Sequence, residues 1–353
     1  MKTLILSWIC ILVSASVCRA SSRSLFSDPH YREGFGKDAT GGAGNPICLV
    51  TSGAASGPGT LDSYFQPGDT AANKTIVFSV NSVTLPGTRT ICSNVTIDGC
   101  ANGINGVTVD QTGDAKRGLV ISGGSSNVIV RCLNLRGTGT PSGHATEFDN
   151  LALDGDTATP ISNVLVDRIT SMQASDGAMD ITGNVSNVTV QRSLFYGNAI
   201  TMLIKYDARQ NISIHHNVFT RNGERNPQIK GDVRTLDFVN NVLYLNDVPA
   251  YPDGSSTSPY GTRIFSCGAG CDSPGNVVAN LVNNAYIDPT AAIELLTGPG
   301  GGSNAGTYIG GNYCVPASNC PASPKATPNT IPAAYAVTTR ATDQLKSQLL
   351  PVD

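Results

Sequence analysis

Four segments spaced 24 residues apart constrain this chain more than anything else in it. NVLVDRITS begins at Asn163, NVTVQRSLF at Asn187, NISIHHNVF at Asn211 and TLDFVNNVL at Thr235. Each alternates apolar and polar residues over four or five positions, the mark of a strand with one buried face. A fixed period of this length is one coil of a solenoid, which buries its inward face only by stacking on its neighbours. Looser copies occur as NVTIDG from Asn94, NVIVRCLNL from Asn127 and NVVANLVNNAY from Asn276. The pattern predicts an all-β, single-domain parallel β-helix with coils about 4.8 Å apart. Ser193, Asn217 and Asn241 recur at one place in the coil and predict an inward polar ladder. A β-sandwich would need hairpin turns and irregular strand spacing instead.

The ends of the chain read differently. Residues 1–20, MKTLILSWICILVSASVCRA, put Lys2 before an apolar run and close on Ala20, the pattern of a secretory leader cut near Ala20. No later apolar run reaches the roughly 20 residues of a membrane span. Residues from 21 to about 85, with GFGKDATGGAG and GPGTLDSYF, are expected to form a first coil and an N-terminal cap. From about 287 to 353 the pattern fades into loop-rich sequence, where ATDQLKSQLL reads as a short helix closing or covering the far end.

Removing the leader leaves 21 basic against 26 acidic residues. That balance excludes a nucleic-acid reader, which needs a basic face. Eight cysteines would remain, an even number that predicts disulfides in a secreted protein. Spacing suggests Cys92 with Cys100, Cys267 with Cys271 and Cys314 with Cys320, leaving Cys48 for Cys132. Sequons begin at Asn73, Asn94, Asn184, Asn187 and Asn211. They are either glycan acceptors or repeat asparagines that match the sequon by coincidence.

The constant period lets distant residues be compared by subtraction. Asp176 and Asp180, in SDGAMDI, lie on one side of an extended chain. Two periods later come Glu224 and Gln228, flanking Arg225 in RNGERNPQIKGDV. Asp167 lies one strand earlier in the coil of Asp176 and is expected on the same face. Three clustered carboxylates repel one another unless a cation neutralises them. Hard oxygen ligands favour Ca²⁺, whereas zinc prefers nitrogen and sulfur, which only His215 and His216 offer as a group. The bland reading is that each Asp caps a turn.

In order along the chain stand VLVDR, DGAMDI, VTVQRSLF, HHNVFTRNGERNPQIK and FVNNVLY. This series resembles the pectate lyases of polysaccharide lyase family one over about a hundred residues. The resemblance implies a right-handed parallel β-helix. It places calcium ligands on Asp167, Asp176 and Asp180 and the catalytic base on Arg225. Lys230 falls on a second basic substrate-binding position. Arg221 matches no functional position and reads as a turn residue. The family's substrate-binding lysine falls on Ile200, and Lys205, five residues on, is the candidate to replace it.

The implied activity is secreted, extracellular and monomeric: Ca²⁺-assisted β-elimination of plant cell-wall polygalacturonate (pectate). No nucleic acid or membrane partner is implied. Two alternatives remain. A polygalacturonase-type hydrolase would need paired carboxylates, but its Gly-His-Gly motif is missing, since SGHAT has one glycine beside His144. A non-catalytic pectin-binding β-helix is favoured by Ile200.

Overall fold

A computed structural model describes residues 18–19, 32–65, 70–101, 106–112, 117–137, 148–155, 158–205, 210–244, 261–267, 275–287, 293–298 and 301–349. Their strands form three sheets of eleven, nine and nine strands. One coil runs through Ile161–Asp167, Thr170–Met172 and Asp180–Thr182, and the next begins at Val185. Each segment pairs in parallel with its counterpart one coil away. Among the described residues the one antiparallel pair is Cys18–Arg19 against Ile47–Cys48. This is the expected parallel β-helix. The solenoid continues to the strand Tyr313–Val315, further than the fading pattern suggested.

The 24-residue repeat appears as register: Val164 pairs with Val188, Val188 with Ile212 and Ile212 with Leu236. These residues are buried along one inner wall. Phe195 and Phe219 stack at 4.9 Å, and Phe219 meets Phe238 at 6.0 Å. The corner after each long strand falls on Arg168, Arg192, His216 and Asn240, with φ of 53°, 51°, 55° and 52°. Left-handed backbone recurs at this corner even without glycine, so stacking must offset its cost.

Asparagines line two ladders. Outside, the repeat's leading asparagines adopt positive φ, and Asn211 donates to Asn187 and Asn187 to Asn163, at 3.0 and 3.2 Å. Asn94 donates likewise to Asn73 at 2.9 Å. Four sequon asparagines, Asn73, Asn94, Asn187 and Asn211, thus take part in this ladder. Inside, Asn217, Asn241, Asn284 and Asn312 chain through their amides, and Asn217 accepts from the backbone N–H of Ser193. That is the expected inward ladder; it satisfies corner backbone groups that burial would otherwise orphan.

The glycine-rich segment 34–44 is not an end cap. It crosses the outer face of the first sheet as a strap. The N–H groups of Phe35, Gly36 and Gly42 donate to Ser213, Thr189 and Thr96 hydroxyls at 3.2, 2.8 and 2.9 Å. A Cβ on Gly36 would lie 2.1 Å from the Val164 carbonyl, so only glycine fits there. Capping falls instead to the turn Asp62–Phe65, whose Tyr64 and Phe65 join the core with Leu61. At the other end, helix Thr342–Leu349 lies against the outer side of the second sheet, with Leu345 packed on Val218, Val242 and Ala285.

The disulfides correct two expected pairings, Cys92 with Cys100 and Cys48 with Cys132. Cys314–Cys320 forms as expected, but Cys100 bonds Cys132, Cys48 bonds Cys18, and Cys92 is a free thiol. Asp98 pairs with Arg131 across coils, which brings Cys100 and Cys132 to one corner. Stacking brings residues a coil apart closer than their sequence spacing suggests. Cys267 is disulfide-bonded, while Cys271 lies outside the described residues. Cys18 falls within the expected leader, most of which lies outside the described residues. No described helix is long and apolar enough to cross a membrane.

Candidate active site

The third sheet gathers the charges. Asp180 opens the strand Asp180–Thr182 and accepts the backbone N–H of Leu203, one coil on, at 2.9 Å. Asp176 sits in the bend before it, its own N–H bonded to the Phe148 carbonyl at 3.1 Å. Between them is Gly177, whose N–H donates to Asp149 Oδ1 at 2.8 Å. A Cβ there would lie 2.4 Å from Asp180 Oδ1 and 2.9 Å from Asp149 Oδ1. The glycine of DGAMDI is therefore the backbone position that two carboxylates crowd.

The third carboxylate is Asp149, which sequence reasoning missed. It begins the strand Asp149–Asp154, and Arg117 of the adjoining strand approaches its Oδ2 at 3.3 Å. Burial pushes the Asp149 carboxyl well above the ordinary range, and the charges of Asp180 and Asp176 add to it. Burial and then Asp176 do the same to Asp180, against the opposing pull of Arg225 and Arg117.

Asp167 is not in this cluster. It ends a strand of the first sheet, 4% exposed, and accepts from Gln191 Nε2 at 2.8 Å and Arg168 Nε at 2.9 Å. It belongs to an outward row through Asp98, Arg131, Gln191 and His215, close to Arg32 of the strap. The expectation of Asp167 beside Asp176 and Asp180 is corrected to Asp149. The motif resemblance matched a strand ending in Asp, whereas the site needs a carboxylate from the coil before.

Arg225 faces the trio: its Nη1 lies 3.6 Å from Asp176 Oδ1. Its φ is +61°, a conformation held by both flanks. Glu224 pairs with Ile200 through an isolated bridge, and Met202 N–H binds the Arg225 carbonyl at 2.8 Å. Asn226, fully buried, accepts from Thr201 and donates to the Gly223 carbonyl, at 2.8 and 3.0 Å. Lys205 and Lys230 follow the paired Ile204 and Ile229, so they neighbour each other on the outward face of the same sheet. Arg221 occupies a left-handed corner at φ +52° and is exposed. Ile200 is fully buried.

The residues present suit Ca²⁺. Three carboxylates converge from two coils with oxygen donors alone, and Asp176 Oδ1 is buried with no hydrogen-bond partner. A hard divalent ion would use that lone pair and relieve the mutual repulsion.

No family model matches the chain. Its sequence is similar to probable pectate lyase C of Neosartorya fischeri, 28% identical over 313 residues, covering 87% of this chain and 64% of the relative. Probable pectate lyase C of Emericella nidulans is 30% identical over 291 residues, covering 79% and 63%. The chain thus spans a little under two thirds of these relatives. Among solved structures, the major allergen from cedar pollen superposes with a TM-score of 0.58 at 18% identity, covering 89% and 90% of the two chains. A variant pectate lyase from Xanthomonas campestris superposes at 0.54 and 17%, covering 90% and 96%.

Proposed function

We propose that this chain, which has the pectate lyase fold, is a secreted lyase that cleaves α-1,4-linked polygalacturonate by β-elimination. The observation that carries the reading is the convergence of Asp149, Asp176 and Asp180 with Arg225 on one open sheet face bearing Lys205 and Lys230. A polymer with one carboxylate per sugar needs positive charge along its track, and that face supplies it.

Asp149, Asp176 and Asp180 would hold Ca²⁺. When bound, the ion supplies Lewis-acid chemistry, binding a uronate carboxylate and acidifying the adjacent C5 proton. Lys230 and Lys205 bind neighbouring carboxylates and fix the sugar's place. Arg225 takes the C5 proton. A guanidinium ordinarily keeps its own proton at neutral pH, so this role requires surrounding positive charge to lower its pKa. As the C5–H bond breaks, its electrons form the C4=C5 bond and the C4–O bond breaks. The leaving oxygen keeps that bond's electron pair and is protonated. The products are a new reducing end and a 4,5-unsaturated end, with no water consumed.

Arg225→Ala tests this reading. The variant is expected to fold normally and to form unsaturated product at least about 100-fold more slowly. Wild-type rates with reducing ends but no unsaturation would instead point to hydrolysis. A second reading, a non-catalytic pectin binder, rests on buried Ile200 at the position where the resemblance implies a lysine. Binding of polygalacturonate by wild type without cleavage, at any pH with Ca²⁺ supplied, would establish it.

A further inference from the structure

On a different sheet from that face, three ligating side chains meet where separate parts of the chain cross. His215 ends the strand Gln210–His215 of the first sheet, and His216 is the corner residue after it. Glu33 immediately precedes the strap. The C-terminal tail joins there too: Thr338 N–H donates to Glu33 Oε2 at 3.0 Å, and Arg340 N–H to Asn240 Oδ1 at 2.7 Å. One ligand atom from each of Glu33, His215 and His216 lies within 4.8 Å of the others.

The two rings meet nearly at right angles, at 85°, with Nδ1 2.9 Å from Nδ1. The two nitrogens share a proton in a hydrogen bond, and since metal–nitrogen bonds of about 2.0–2.1 Å place neighbouring ligands about 2.9–3.4 Å apart, an ion can take that proton's place with little movement of the rings. His215 is fully buried, and its Nδ1 is turned to the Nδ1 of His216 at the corner where Glu33 also arrives.

We propose that Glu33, His215 and His216 bind a borderline divalent transition-metal ion of the Zn²⁺ type, clamping the strap and the tail to the solenoid. Two imidazoles and one carboxylate suit such ions and not Ca²⁺. Burial keeps both rings neutral, which is the ligating form. Arg192 and Arg340 lie close enough to favour the neutral rings further, and the Glu33 carboxylate offsets their repulsion of a cation. Three protein ligands leave positions for water, and both Glu33 and His216 are partly exposed to it.

The test uses the full chain, stripped with chelator and then saturated with Ca²⁺ so that the aspartate cluster is filled. Zn²⁺ is titrated by calorimetry. One site of micromolar or tighter affinity is expected. Glu33→Gln and His216→Gln should each weaken it at least about tenfold, and Asp176→Asn should leave it unchanged. Because His216 sits at a surface corner, circular dichroism is expected to show its variant folded. Wild-type protein also carries the test alone: bound Cu²⁺ should show nitrogen hyperfine coupling from two imidazoles. No Zn²⁺ uptake far above micromolar concentration, a site lost in Asp176→Asn, or a Cu²⁺ signal without nitrogen coupling would overturn the proposal.

Discussion

Calcium should displace protons from this protein, and the structure says roughly how many. Asp149 and Asp180 are buried beside each other and beside Asp176, and both titrate well above the usual carboxylate range. In metal-free protein near pH 6 the pair therefore holds between one and two protons, about, as a coupled unit. An ion bound by all three carboxylates must expel them. The apparent Ca²⁺ affinity should then rise about ten- to a hundredfold per pH unit across that range, flattening once the pair is ionised. The sign for stability follows from the same shift. A carboxyl whose pKa is raised on folding stabilises the fold at acid pH and loses that contribution as pH rises through the folded-state value. Metal-free protein should lose stability from about pH 4 toward neutrality on this account, and saturating Ca²⁺ should remove the loss. Calorimetry at pH 6, in buffers of different ionisation enthalpy, counts the protons directly. Ca²⁺ binding with no proton release at pH 6 would refute the clustering of the trio.

Two further outcomes are expected. Asn241 donates to Ile214 O and Asn284 Oδ1, at 2.9 and 3.0 Å, and accepts from Asn217; Asn241→Ala should cost about 3 kcal/mol by orphaning buried partners, read as a lower urea midpoint, and a loss under about 1 kcal/mol would contradict the ladder's role. Burial pushes His215 down to about 3 and His216 down to about 4, so their contribution is complete above the unfolded value near 6.5 and falls as pH drops through the window from 6.5 to about 4. In Ca²⁺-saturated protein that slope should be about 1 kcal/mol per pH unit for each ring, and His216→Gln should lessen it.

The solenoid was legible because its repeat is regular where it matters most. Val188, Ile212 and Leu236 stand in register at the period read from the letters. Site geometry was less legible because the period is an average. Asp180 sits in register with Ala152, 28 residues back, and Val164 with Val128, 36 back. Ile181 meets Ile204 after 23 residues, and Ile204 meets Ile229 after 25. Subtracting 24 could not reach Asp149. One period on from Asp176 is Ile200, yet the bridge partner of Ile200 is Gly177. The strap left a signal that only its partners explain: Thr75, Thr96, Thr189 and Ser213 put small hydroxyls at the outward positions where its backbone docks. Asp167 illustrates the limit of motif matching, since its carboxylate is satisfied by Gln191 and Arg168 in another sheet.

The central claim is which third aspartate completes the site, and paired variants decide it. Asp149→Asn and Asp167→Asn are assayed side by side for unsaturated product across a Ca²⁺ titration. The account predicts that Asp149→Asn raises the Ca²⁺ requirement at least about tenfold while Asp167→Asn keeps the wild-type requirement. The opposite ranking would contradict it.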